Sequence, residues 1–242
     1  MDYSKLFDSH THFHTNMDEG QKFVLSGYSS KSNSDVISHI PNLKNAYLSL
    51  GLGPQEIQRE DLYPDFEKSL EQTINQIESQ KENPLFVAVG EVGLDNHWGK
   101  TPSQRGRQFD AFEKMILLSK KMDKSIVVHS RDAETQCIAQ LSALDCKRVV
   151  MHCFGGTLKE AKLAADAGYF VSIPPIKNKE RKKIIKQIDL QYLLIESDAP
   201  YLGKKSTDSL ISAQMIAEYK EIKIEDALQA VYENASRLFS IR

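Results

Sequence analysis

Short apolar runs alternate along this chain with longer segments in which apolar residues recur every three or four positions. Eight runs predict strands, at 5–10 (KLFDSH), 22–28, 46–52, 85–94, 125–130, 148–154, 169–175 and 192–198. Most are nearly continuous Val, Ile, Leu and Phe, the pattern of parallel strands buried on both faces. Helical windows lie between them. Over 65–82, Phe66, Leu70, Ile74 and Ile77 share one face, and over 104–122 the stripe is Phe109, Phe112, Met115, Ile116 and Leu118. Further helices are predicted at 132–144, 157–167 and 178–188, with a helical stretch from 209 to 239. His39 closes a short helical pattern behind Val36 and Ile37 and reads as structural. Asp132 and Thr157 stand at N-cap positions, and Gly168 at a helix end.

Eight strands mostly separated by helices predict an α/β fold, a (β/α)8 TIM barrel, in preference to a doubly wound open sheet. It is slightly irregular between strands one and two, because about ten residues, including Gly20, are too few for a crossover helix. The 242 residues match the roughly 250 that such a barrel needs, and no repeat or linker divides them. Residues 1–242 read as one domain.

Composition narrows the function. Hydrophobic residues make up 40% and charged residues 26%, with a formal charge of −2. Binding nucleic acid by bulk positive charge is excluded, so a phosphate-bearing substrate must be gripped locally. Cys137, Cys146 and Cys153 are odd in number and form no CxxC pair, which argues against a disulfide framework and a cysteine zinc site. The N-terminal residues show no signal-peptide pattern, and no apolar run approaches the roughly 18 residues that cross a bilayer. The expectation is a cytoplasmic protein with no membrane contact.

The candidate chemistry sits where polar residues interrupt strands at their C-terminal ends. These are His10 and His12 in DSHTHF, Glu91 in VAVGEVGLD, His129 in IVVHSRDA, His152 in VVMHCFGG and Asp198 in LLIESDAPYL. In a barrel these ends share one rim. His10 and His12, two apart on a strand, point to one side and can chelate a divalent cation. Glu91 has two oxygens and can bridge two cations, with His129 and His152 on the second. Asp198 then completes the first site or accepts a proton, which makes Asp198 and Glu91 the catalytic candidates. Two cations about 4 Å apart stabilise both the attacking and leaving oxygens of a displacement at phosphorus. Each residue alone has a plainer explanation, as a satisfied core histidine or a carboxylate capping the next helix. Burying all six together is costly unless something satisfies them.

Candidate substrate contacts are Arg131, whose guanidinium offers a bidentate fork, Lys204 and Lys205 as point charges, and His97 and Trp98 beyond strand four. Phe13, Trp98, Phe154 and Tyr201 are candidates for stacking on bases, and His14 for solvent or substrate contact. KNKERKK at 177–183 reads as a solvated helix face.

Taken in order, DSHTHF at 8–13, GEVGLD at 90–95, VHSRDA at 128–133, MHCFGG at 151–156 and ESDAPYL at 196–202 resemble the TatD family of metal-dependent deoxyribonucleases. The helix QRGRQFDAFEKMILLSKK at 104–121 is similar to the family's as well. The resemblance implies a TIM barrel of the amidohydrolase type and ligand roles for His10, His12, Glu91, His129, His152 and Asp198. It also implies cleavage of phosphodiester bonds, typically in DNA, with Mg²⁺, Mn²⁺ or Zn²⁺ bound; a 3′-5′ exonuclease is the form expected here. Three departures stand out. Gly53 and Gln55 occupy the histidine positions of a Gly-x-His-Pro-His-like segment, Gly155 replaces a serine, and the loop GKKSTDS at 203–209 is short. They leave the metal centre intact but alter its surroundings. Two other readings therefore stay open: hydrolysis of an ester, amide or aminoacyl-tRNA bond on the same barrel, and a non-catalytic metal-binding adaptor.

Overall fold

The computed structural model describes residues 4–15, 17 and 20–241. Its strands are β1 (Phe7–Thr11), β2 (Lys22–Ser26), β3 (Ala46–Leu50), β4 (Phe86–Gly93), β5 (Ser125–His129), β6 (Val149–Met151), β7 (Phe170–Ile173) and β8 (Leu193–Ile195). They form one eight-stranded sheet in chain order, and each sequential pair is parallel. The residues just past β8 join its ring to β1, where the Asp198 amide donates to the His10 carbonyl at 3.0 Å and the His12 amide to Ala199 at 2.7 Å. The predicted barrel is the fold observed.

The helices are α1 (Ser30–His39), α2 (Pro54–Ile57), α3 (Phe66–Glu78), α4 (Pro102–Lys121), α5 (Glu134–Ala143), α6 (Leu158–Asp166), α7 (Lys179–Gln187), α8 (Ser209–Lys220) and α9 (Ile224–Phe239). Local chemistry sets their starts. Ser29, Thr101 and Thr157 each close a capping box, and Asp65 and Asn178 accept from the third helical amide. One expectation needs correction. Asp132 is no N-cap: it takes a left-handed φ of 56°, and Ala133 leads into α5 without a side-chain cap. The helical stretch over 209–239 is observed as two helices, because Glu221 turns left-handed at φ 57° and ends α8. None of the described residues between β1 and β2 is helical, as the short connection required. Among the described residues, no helix is long and apolar enough to cross a membrane.

The larger apolar core lies between strands and helices, and a second cluster lies on the other face of the strands. Phe7, Val24, Val127, Val150, Phe170 and Leu194 form that cluster with Ala235, Leu238 and Phe239 of α9. Two residues further along the chain stand Ser9, Ser26, His129 and Ser172 on the same strand faces, with His152 and Glu196 just past the ends of β6 and β8. This upper layer leads to the site.

Candidate metal centre

Four features of the backbone hold the site in place. Asp8 accepts from the Ser197 amide at 2.8 Å and its hydroxyl at 2.6 Å, tying β1 to the chain beyond β8. Ser9 Oγ donates to the Ile195 carbonyl at 2.8 Å. Ser49 donates to the Gly90 carbonyl at 2.8 Å, holding β3 to β4 one residue before Glu91. Gly93, at φ 136°, lets β4 press on β5 where any Cβ would strike the His129 carbonyl.

These contacts bring all six predicted ligands together. All except the fully buried His10 line a cleft of about 660 Å³. Three groups of donor atoms each fall within 4.8 Å: His10, His12 and Glu91; Glu91, His129 and His152; and His10, His152 and Asp198. Glu91 divides its oxygens between two histidine pairs. Its Oε2 lies 3.7 and 3.6 Å from Nε2 of His10 and His12. Its Oε1 lies 2.9 Å from His129 Nδ1 and 3.6 Å from His152 Nε2. Asp198 Oδ1 is 3.8 and 3.5 Å from the Nε2 atoms of His10 and His12.

Protonation follows from these neighbours. His12 Nδ1–H donates to the Ser26 carbonyl at 2.9 Å, which leaves Nε2 bare toward the cluster, the tautomer a cation needs. His10 Nε2 faces His12 Nε2 at 3.1 Å, so both cannot carry a proton there. Burial and the neighbouring His152 and His12 hold the His10 pKa well below the usual imidazole range. Burial alone would raise Glu91, but His152 and His129 outweigh it and hold its carboxyl well below the ordinary range. Burial opposes charging His129 too, yet Asp95 at 2.8 Å and Glu91 lift it to about 9. Glu196 is fully buried, which pushes its carboxyl up to about 7.

The donor set fits a divalent cation. Both ring nitrogens of His152 and both oxygens of Glu196 are buried without a hydrogen-bond partner among the described residues. Orphaned polar groups at such a density are costly unless a ligand satisfies them. Imidazole nitrogens and ionised carboxylates around one point are the ligands that a borderline or hard divalent ion takes, and a bound cation would displace the proton that Asp95 and Glu91 hold on His129.

The predicted substrate contacts divide. Arg131 and Trp98 line the cleft. His97 is not among its lining residues; it lies 3.7 Å from Asp132, edge-on to Trp98. Nor is Lys204, whose amide donates to Asp208 Oδ2 at 2.7 Å on an exposed loop. Phe154 is core, and Phe13 lies tilted against His39 at a centroid distance of 4.0 Å. Tyr201 flanks His12 edge-on at 5.0 Å, and its hydroxyl meets that of Tyr28 at 3.0 Å.

Sequence reasoning missed Tyr28, Gln55, Asp95, Glu134 and Glu196 in or beneath this cleft. It also placed Arg181 on a solvated face. Arg181 is in fact 6% exposed and donates to the carbonyls of Ile176 at 2.6 Å and Phe154 at 3.1 Å. Glu196 had a legible signal, standing two residues past Leu194 on an apolar strand; Arg181 had none inside its charge run.

A closed parallel barrel with a histidine–carboxylate cluster at its C-terminal rim has the form of a metal-dependent hydrolase. Residues 7–240 match the TatD related DNase family. A Bacillus subtilis protein, described as uncharacterized metal-dependent hydrolase YabD, is 29% identical over 98% of this chain and 99% of its own. Human Deoxyribonuclease TATDN3 is 33% identical over 78% of this chain and 73% of its own. The crystal structure of YjjV, a TatD homologue from Escherichia coli, has a TM-score of 0.83 at 22% identity, covering 98% and 99% of the two chains. The chain belongs to the TatD family of metal-dependent hydrolases.

Proposed function

We propose that this protein is a divalent-metal-dependent phosphodiesterase that hydrolyses DNA, with His10, His12, Glu91, His129, His152 and Asp198 as its metal ligands. The observation that carries this reading is Glu91, whose two oxygens face two separate histidine pairs, so that two cations can share one carboxylate. The human relative's name, a deoxyribonuclease, supports the choice of substrate. Mg²⁺, Mn²⁺ or Zn²⁺, two per chain, would supply Lewis-acid polarisation of a phosphoryl oxygen and a water acidic enough to ionise near neutrality when held by these residues.

The chain's own residues do the rest. Asp198, in the cleft wall beside His10 and His12, would take the proton of an attacking water through the carboxylate oxygen that a cation leaves free. Asp95 holds the His129 ring through Nε2, so Nδ1 stays turned to Glu91. Arg131 grips a phosphate, and Trp98, 55% exposed at the cleft edge, offers a face to a base.

Hydrolysis of 5′-labelled single-stranded DNA by metal-stripped protein tests the reading, with each cation added back and an Asp198→Asn control. Metal-restored ladders that the variant lacks are the expected result, and their direction reports the 3′-5′ polarity. Bound metal with intact DNA would transfer the assignment to a carboxylic ester or amide substrate on the same barrel.

A further inference from the structure

The segment GLGPQE departs from the family pattern at two positions, 53 and 55, and the structure joins them. Gln55 stands in the first turn of α2 and lines the cleft. Its Nε2 donates to Glu91 Oε1 at 3.1 Å, the same oxygen that receives His129 Nδ1 at 2.9 Å. Only the amide nitrogen can donate to a carboxylate, so the orientation of Gln55 is set. Its Oε1 is buried without a hydrogen-bond partner among the described residues, turned back toward Gly53.

Gly53 is not required by its backbone. Its φ of −65° and ψ of 147° suit any residue. What glycine provides is room. A Cβ at 53 would meet Gln55 Oε1 at 3.1 Å, Cδ at 3.3 Å and Nε2 at 3.4 Å. The amide of Gln55 lies against the space that the missing side chain leaves.

We propose that Gln55 is a positioning residue for the carboxylate shared by the two cation sites, and that Gly53 is its steric partner. Gln55 sets the rotation of the Glu91 carboxyl, and with it the direction in which Oε1 faces His129 and His152. An amide does this without a titrating proton, so the aid is constant across the pH range in which an imidazole would change charge. The inference rests on the reading of the cluster as a two-cation centre.

Calorimetric titration of Mn²⁺ into metal-stripped protein tests it, comparing wild type, Gln55→Ala, Gly53→Ala and the double variant, with kcat and KM on single-stranded DNA alongside. Gln55→Ala is expected to weaken Mn²⁺ binding and lower kcat about 10- to 100-fold, the usual effect of removing a residue that orients a metal ligand. KM and the metal-free melting temperature stay at wild-type values. Gly53→Ala moves affinity and kcat the same way by less. Because Gly53 acts only through Gln55, the double variant is no worse than Gln55→Ala alone. Wild-type Mn²⁺ affinity in Gln55→Ala, or losses that multiply in the double variant, would overturn the proposal. Failure of wild type to bind Mn²⁺ overturns the two-cation reading itself, a different and separately visible result.

Discussion

Phe7, Val24, Val127, Val150, Phe170 and Leu194 fill the lower barrel, whereas Ser9, Ser26, His129, His152, Ser172 and Glu196 follow two residues later along the chain. The lower layer is closed by packing. Phe7 stacks on Tyr47 and on Phe239 of α9, with centroids 6.1 Å apart in each case. The upper layer is closed by polar contacts where serines are available and left open where they are not. Ser9 and Ser172 meet at 3.1 Å, and Ser26 Oγ lies 3.2 Å from His10 Nδ1. The ring nitrogens of His152 and the carboxyl oxygens of Glu196 have no hydrogen-bond partner among the described residues. A single step of the strand repeat thus separates groups that stabilise the fold from groups that await a ligand, which is the usual division between the two ends of this barrel.

Substitutions in the two layers sharpen the contrast. Asp198→Asn is expected to lower kcat by about 10²–10⁴-fold, the range for losing a proton-transfer group, with an unchanged denaturation midpoint. Phe7→Ala should do the reverse. It costs about 3–5 kcal/mol by urea denaturation while the folded fraction keeps its activity; lost activity in the fully folded variant would break the separation of layers. At the cleft wall, Arg131→Ala should raise KM for DNA by about 10- to 100-fold, the weight of a hydrogen bond to a charged group. Lys204→Ala, outside the cleft, should leave KM where it is. Equal effects of the two would mean that the substrate runs over the 203–209 loop.

Glu134 gives the smallest effect and a pH signature. Burial holds its carboxyl up at about 7, from an ordinary value of 4.5. Between those values the unfolded chain has released this proton and the folded protein keeps it, so Glu134 makes stability fall as pH rises. Glu134→Gln should flatten that part of the slope in urea midpoints measured at pH 5 and pH 8. An unchanged slope contradicts the assignment.

Much of this arrangement was legible in the chain. The strands showed themselves as apolar runs, and the ligands as polar residues that interrupt those runs where nothing local explains them. The cap at Thr157 was legible because a capping box is local. What escaped was set by local backbone turns or by tertiary contact. Asp132 lost its cap role to a left-handed turn. Arg181 sits among lysines and a glutamate, and only the carbonyls of Ile176 and Phe154 mark it as buried. Gln55 read as a lost histidine until its contact with Glu91 appeared.

Metal content measured after equilibrium dialysis tests the proposed sharing of Glu91 between two cations. Wild type should hold two divalent ions per chain. His12→Ala, which touches only the first triad, and His129→Ala, which touches only the second, should each keep one. Glu91→Ala should keep less than either, because it breaks both triads at once and leaves only the group of His10, His152 and Asp198. One ion in wild type, or Glu91→Ala retaining as much metal as the single-histidine variants, would contradict that sharing.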